Sequence, residues 1–490
     1  MASKRGGYID AHALAHPDLS FFGLAAPQVL VYGLQNAHTN FSSGRGVAIS
    51  AALYLAISAC LAAAVFMGVR RREPPPGLDW AVAGAAIPPV LLAAVPMDLP
   101  TALRLASAAG AGAALGWMYV RWAPFYARLS IGDAVACVFV SMASGSLVKL
   151  AGDLMPAAAH ASLLALLPAA SFALLRRASR LMPEAAERPL VFGDAGLLPL
   201  SGRILVGVVA YSLAIGASRG LAGPSSDPVN AFDVVQHFAE VALAGGVMWW
   251  VFGRSGTLRF ARLWSVASVI AITGFALLPL LHGGSRSGMA LAFVFCAQTI
   301  TVMLLWLVLA DVARHSARSP YLVFGLGWLA YSLPCAAGEL LGMAARHAGA
   351  AETASLLLGY CLAVVSILVL NEESFEERRI FGDLEAPRVA DGAASISAGA
   401  GGVAGAVVIG EAGEPPAPDA VTVLGERFGI TAREAEVACL LARGRSKTYI
   451  AEALFVSENT VRSHAKRIYA KMGVHSRQEL LDRFEDAGLG

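Results

Sequence analysis

Charge is scarce in this chain. Of its 490 residues, 15% are Asp, Glu, Lys or Arg, against 57% that are hydrophobic. Soluble domains carry about 25% charge, so the deficit argues against an ordinary water-soluble protein. Cysteine is thin as well. Cys60, Cys137, Cys296, Cys335, Cys361 and Cys439 form no Cys-x-x-Cys pair, and all but Cys439 sit in apolar stretches. That pattern fits small buried hydrophobes, not a disulfide or metal framework. A net charge of +2 names no partner. Nucleophile–base, metal-ligand and phosphate-loop spacings are missing too. No enzyme is expected, and no catalytic residue, cofactor or metal is assigned. Asp10, His12 and His16 share a polar tail without metal-site spacing. Residues 1–18 read as a cytoplasmic tail and not a signal peptide, because the apolar run behind them is broken by Pro27 and has no clean cleavage site.

Apolar length is what the chain has. Runs long enough to cross about 30 Å of hydrocarbon are expected at 19–36, 46–68, 79–96, 101–121, 131–151, 157–175, 203–221, 231–252, 260–282, 288–310, 320–343 and 350–370. The expected fold is all-α: a polytopic bundle of about twelve spans, followed by a small four-helix domain. Arginines gather after every second span: Arg70 to Arg72, Arg121 and Arg128, Arg176, Arg177, Arg180 and Arg188, then Arg254, Arg314 and Arg378 with their neighbours. The other loops hold few, such as Arg45, Arg286 and Arg346. The positive-inside rule makes the arginine-rich side cytoplasmic. An even number of spans returns the chain to that side, so both termini are expected there.

The longest loop between spans, 176–201, divides the body into six plus six. Two such halves resemble the major facilitator architecture, in which repeats enclose a midplane cavity. The likeness is one of topology. That superfamily usually carries a Gly-x-x-x-Asp-Arg-x-Gly-Arg type motif after its second span. Here Gly68 to Gly77 reads GVRRREPPPG, without the Asp, which puts transport in doubt.

Ionisable groups in hydrocarbon are costly, so each is a candidate site residue. Lys149 and Arg219 lie near the outer ends of their spans, His237 and Glu240 share one helix face at i and i+3, Gln298 is near mid-span, and Glu339 is in an outer half. Together they are candidates for binding a small molecule of unknown identity. Snorkelling of Lys149 and Arg219, or purely structural pairing of the acids, is the competing reading. Trp80, Trp117, Trp122, Trp249, Trp250 and Trp306 lie near span ends and are expected to form an interfacial belt.

Residues 371–422 read as a cytoplasmic helix extension and flexible linker. The stretch 392–410 lacks charge, but Gly and Ala supply little transfer energy, and a thirteenth span would export the C-terminal part of the chain.

Residues 423–490 have the pattern of a helix-turn-helix domain. Thr431 and Glu434 make a capping-box pair, Val437, Leu440 and Leu441 continue at helical spacing, and Gly444 suits a C-cap. Ser457 suits the N-cap of a helix at 458–472. On that helix Val461, Ala465, Ile468 and Met472 share one face, and Asn459, Arg462, Ser463, Lys466 and Arg467 lie opposite. An apolar back and a basic front are what a helix entering the major groove needs. The stretches ITAREAEV and IAEALFVSENTVRSHAKRIYAKMGVHSR closely resemble the LuxR-type (GerE, NarL-like) DNA-binding domain over about sixty residues. The resemblance implies binding to double-stranded DNA as a homodimer on an inverted repeat, with self-association through a helix at 476–486. It assigns Arg462, Ser463 and Lys466 to base edges. It assigns Lys447, Asn459, Thr460, His464 and Lys471 to phosphates, and Arg467 joins the DNA-facing set.

Neither a receiver nor a soluble autoinducer domain precedes this unit; the layout looks like LuxR-type regulators with twelve-span sensor halves. The expected role is a one-component regulator in a bacterial inner membrane, with the body at 19–370 as sensor and the bilayer as a partner. The alternative is a transporter-like protein with a regulatory DNA-binding tail.

Overall fold

The computed structural model of the chain describes residues 12–38, 44–94, 99–182, 202–221, 231–254, 260–281 and 285–368, and in the C-terminal part 428, 430–442, 450, 458–472, 474 and 479–480. The chain divides into two compact units, Met1–Val389 and Ala390–Gly490. Among the described residues the secondary structure is helical throughout, without a strand.

The first unit contains twelve long helices among its described residues: α1 (Ala25–His38), α2 (Gly44–Val69), α3 (Leu78–Ala94), α4 (Thr101–Tyr126), α5 (Ile131–Asp153), α6 (Ala157–Leu181), α7 (Gly202–Leu221), α8 (Ala231–Met248), α9 (Phe260–Leu277), α10 (Ser285–Arg314), α11 (Pro320–His347) and α12 (Ala351–Leu368). One falls on each expected span. Seven are long and apolar enough to cross a membrane, and three more are apolar at 10–17 residues. α8 runs into a turn of π-helix at Trp249–Gly253. Ahead of α1 a short helix, His12–Ala15, packs on α5, where Asp133 accepts the Ala13 amide at 3.0 Å. The same carboxylate closes the start of α5 by accepting from the Ser130 hydroxyl at 2.7 Å.

The packing repeats after six helices. α1 lies on α5 and α6 as α7 lies on α11 and α12; α2 lies on α4 as α8 lies on α10; α3 lies on α4 and α6 as α9 lies on α10 and α12. The halves meet mainly through α2 with α11 and α5 with α8, two pairs that the same six-helix shift exchanges. The six-plus-six division is thus built into the contacts.

Between membrane helices lipid is as apolar as leucine, so close approach at small residues does the work that water exclusion does elsewhere. α7 and α11 show it best. Gly216 and Gly220 on one, and Gly338 and Gly342 on the other, face each other so tightly that a Cβ on any of them would overlap backbone of the neighbour. Three residues separate the glycines of each pair, so both stand on one face.

The expected tryptophan belt fails for three of its six members. Trp80, Trp249 and Trp250 are exposed, whereas Trp117, Trp122 and Trp306 are buried. α4 and α10 extend beyond the stretches read from hydropathy, to Tyr126 and Arg314. Residues near an expected span end therefore lie well inside a packed helix. Trp122 donates to Ser171 Oγ at 3.0 Å, Trp117 donates to Asp79 at 3.0 Å, and Trp306 packs on Tyr119, Phe324 and Trp328.

In the second unit, α13 (Ala432–Ala442) packs on α14 (Glu458–Met472). Val437, Ala438 and Leu441 meet Val461, Ala465, Ile468 and Met472 in a small core that Ile430, Ile450, Val474 and Leu480 complete. The linker at 371–422, Gly444, Ser457, the body of the short helix before α14 and most of the expected helix at 476–486 lie outside the described residues.

Candidate functional site

All six ionisable or amide residues singled out inside the spans fall into two buried clusters where the halves meet. The first gathers α7, α11 and α2, with contributions from α1 and α10. Arg219, 2% exposed, donates through Nη1 to Glu339 Oε1 at 3.1 Å and Tyr54 OH at 2.9 Å. Its Nη2 donates to Gln298 Oε1 at 2.9 Å and Gln35 Oε1 at 3.4 Å. Gln298 passes the chain on to Tyr331 OH at 2.9 Å, and Gln35 donates to Tyr54 OH at 2.9 Å. Ser50 donates to Glu339 Oε1 at 2.9 Å, while Glu339 Oε2 is buried without a hydrogen-bond partner.

The second cluster gathers α1, α5 and α8, again with α10. Glu240, 2% exposed, accepts from Thr299 Oγ1 at 2.8 Å, from Gln236 Nε2 at 3.0 Å and from the Ser146 hydroxyl. His237 sets Nδ1 3.5 Å from Glu240 Oε2 and Nε2 3.0 Å from Tyr32 OH. Tyr32 in turn donates to Asp153 at 3.0 Å. Both imidazole nitrogens face oxygen, and a neutral ring can donate through only one of them. Lys149 places Nζ 5.2 Å from the centre of the Tyr32 ring.

The helices of the two clusters exchange under the six-helix shift: α7, α11 and α2 become α1, α5 and α8. Adjacent residues of α10, Gln298 and Thr299, serve one cluster each. Lys149 and Arg219 do not snorkel; both are buried and engaged inside the bundle. Tyr32, Gln35, Ser50, Tyr54, Ser146, Asp153, Thr299 and Tyr331 complete these clusters and went unnoticed in the sequence. The alternation of small residues on α7 and α11 was the readable signal, since the tight seam holds Arg219 beside Glu339.

In the second unit the capping box forms. Thr431 N donates to Glu434 Oε2 at 3.0 Å, and Glu434 N is 3.4 Å from Thr431 Oγ1. Lys471 Nζ lies 2.6 Å from the same Glu434 oxygen and so clasps the end of α14 to the start of α13. This ammonium holds the Glu434 carboxyl down to about 2. Lys471, which the family resemblance assigns to phosphate, is thus occupied within the domain in the absence of DNA. Arg467 is exposed, and His464 is half-buried with Nδ1 unpartnered. Asn459, Thr460, Arg462, Ser463 and Lys466 are on α14; their side chains lie outside the described residues, as does Lys447.

The solved fucose:proton symporter of E. coli is similar to this chain at 13% identity and a TM-score of 0.41, covering 71% of this chain and 97% of that one. The human organic anion transporter MFSD10 is similar at 15% identity and a TM-score of 0.38, covering 71% and 83%. At those values neither carries an argument, and the six-plus-six arrangement rests on the packing itself. Comparison with curated proteins gives no match. Residues 429–484 match the family described as "Bacterial regulatory proteins, luxR family" (GerE). The match spans the capping box, α13 and α14, so the C-terminal unit carries a LuxR-family (GerE) DNA-binding domain on a chain whose first unit is a polytopic membrane helix bundle.

Proposed function

We propose that this protein is a membrane-embedded, one-component transcriptional regulator. A small molecule binds where the halves of the bundle meet, among Lys149, Arg219, His237, Glu240, Gln298 and Glu339. It shifts the bundle between two arrangements, and residues 371–422 pass that shift to the DNA-binding domain. The observation that carries this reading is the union of a GerE domain with a bundle that buries two charged clusters at its central seam. Charges are costly there, and function is the usual reason they are retained. The ligand must prefer one arrangement, since equal affinity for both shifts nothing.

On DNA the domain acts as a homodimer on an inverted repeat. Arg462, Ser463 and Lys466 face base edges; Lys447, Asn459, Thr460, His464 and Lys471 face phosphates, and Arg467 supports them. Phosphate then competes with Glu434 for Lys471. The bundle sits in the inner membrane of a bacterium, with both termini in the cytoplasm.

Chromosomal occupancy of the full-length protein beside an Arg462→Ala, Lys466→Ala double variant tests this. Discrete sites that vanish in the variant while it still inserts into the membrane are expected; equal occupancy by both proteins rejects the assignment. The buried clusters also favour a second reading, a transporter with a regulatory tail. Accumulation of a labelled compound by a protein truncated before Glu385 would select it.

A further inference from the structure

Away from the two buried clusters, a cavity of about 520 Å³ opens between the start of α3 and the end of α6, lined by Trp80, Ala173, Arg176, Arg177, Arg180 and Leu181. Arg177 is neutralised by Asp18, with Nη2 2.6 Å from Oδ2. Arg176 and Arg180 have no carboxylate partner among the described residues. The Arg176 guanidinium instead lies 5.5 Å from the centre of the Trp80 ring. Among the described residues the cavity therefore holds two positive charges without a carboxylate partner, beside an aromatic wall.

Its place in the bundle says what covers it. α3 and α6 pack on each other and on α1 and α4 of their own half, which leaves their outer faces toward lipid. Ile87 on α3 and Leu166 and Leu181 on α6 are exposed there. Apolar surface thus runs along these helices and gives way to arginine and tryptophan at one end, the end that the arginine bias assigns to the cytoplasmic side. A soluble anion would use the guanidiniums and leave the apolar faces idle. An anionic lipid uses both: planar guanidinium forks take phosphate oxygens in pairs, and tryptophan and basic groups belong at headgroup depth.

We propose that Arg176, Arg180 and Trp80 form a binding site for the headgroup of an anionic phospholipid, with its acyl chains on the outer faces of α3 and α6. The test is native mass spectrometry of the full-length protein released from micelles doped with phosphatidylglycerol, phosphatidylcholine or no lipid, with inorganic phosphate as a further arm. The wild type is expected to retain phosphatidylglycerol in preference to phosphatidylcholine. Arg176→Gln with Arg180→Gln should weaken that retention roughly thirtyfold, from about fivefold per removed charge near the surface. The single variants, each at an exposed position, should fall between and guard against a misfolded double variant. Equal retention of both lipids, unchanged retention by the variants, or displacement by millimolar inorganic phosphate would overturn the site as a lipid site. None of these outcomes touches DNA occupancy, so the regulatory reading stands or falls separately.

Discussion

Arg219 directs its donors at four oxygens, on Tyr54, Glu339, Gln35 and Gln298. Only one of the four is a carboxylate, so Glu339 alone balances the charge. Glu339→Ala should destabilise the full-length protein by about 3–5 kcal/mol, the cost of leaving a buried charge without its counter-ion. Glu339→Gln should cost less, because an amide oxygen still accepts from Ser50 and Arg219. Unfolding in detergent measures both, and equal stability of wild type and Glu339→Ala would contradict the pairing. Glu434 gives a pH prediction. Its carboxyl is held at about 2 in the fold, below 4.5, so its contribution is complete above 4.5 and is lost as pH falls toward 2. Glu434→Gln should flatten that acid dependence in amide exchange of α13 and α14, with the wild type losing protection first over this interval. These residues were legible to unequal degrees. The capping box and the six polar residues in apolar runs stand out because each breaks a local rule. Ser50, Tyr54, Tyr32 and Thr299 break none, since a hydroxyl in an apolar helix is ordinary. Only the fold reveals that they point at charges.

At the scale of helices, the seam between α7 and α11 should be the least tolerant of added volume. Gly338→Ile places side-chain atoms where the Leu213 carbonyl lies. It should cost about 1–3 kcal/mol or more by overpacking and pull Glu339 away from Arg219. Gly84→Ala on α3 meets open space and should be neutral or slightly stabilising. Thermal unfolding of the two variants side by side checks the contrast; equal Tm values would mean that the seam is not tight. Helix number and order were readable because a span must be apolar for most of its length. Helix ends were less so. Hydropathy reports the thickness of hydrocarbon, whereas α4 and α10 continue to Tyr126 and Arg314 by packing against neighbours, and this is why Trp122 and Trp306 were misplaced.

For the whole molecule, the proposed regulation makes the stretch 371–422 the route by which a shift in the bundle reaches the DNA-binding domain. If 392–410 is flexible, doubling its length should lower promoter occupancy by no more than about threefold, because effective concentration falls only as the −3/2 power of tether length. Chromosomal occupancy of the lengthened protein checks this, and complete loss would mean that the segment has a fixed structure. The sequence could separate the two units because their compositions obey different solvents, one lipid and one water. The pairing of α2 with α11 and of α5 with α8 was beyond it, since no periodicity along one helix names its partner.

Arg219 and Glu339 belong to the same half, on helices joined by the glycine seam. Ser50, Tyr54 and Gln35, which also hold them, come from the other half. Any rocking of one half against the other carries the ion pair along intact and strips only its neutral escorts. The quantity that changes is how wet the pair becomes, so its electrostatic strength is set by the opening of the bundle and not by a break in the bridge.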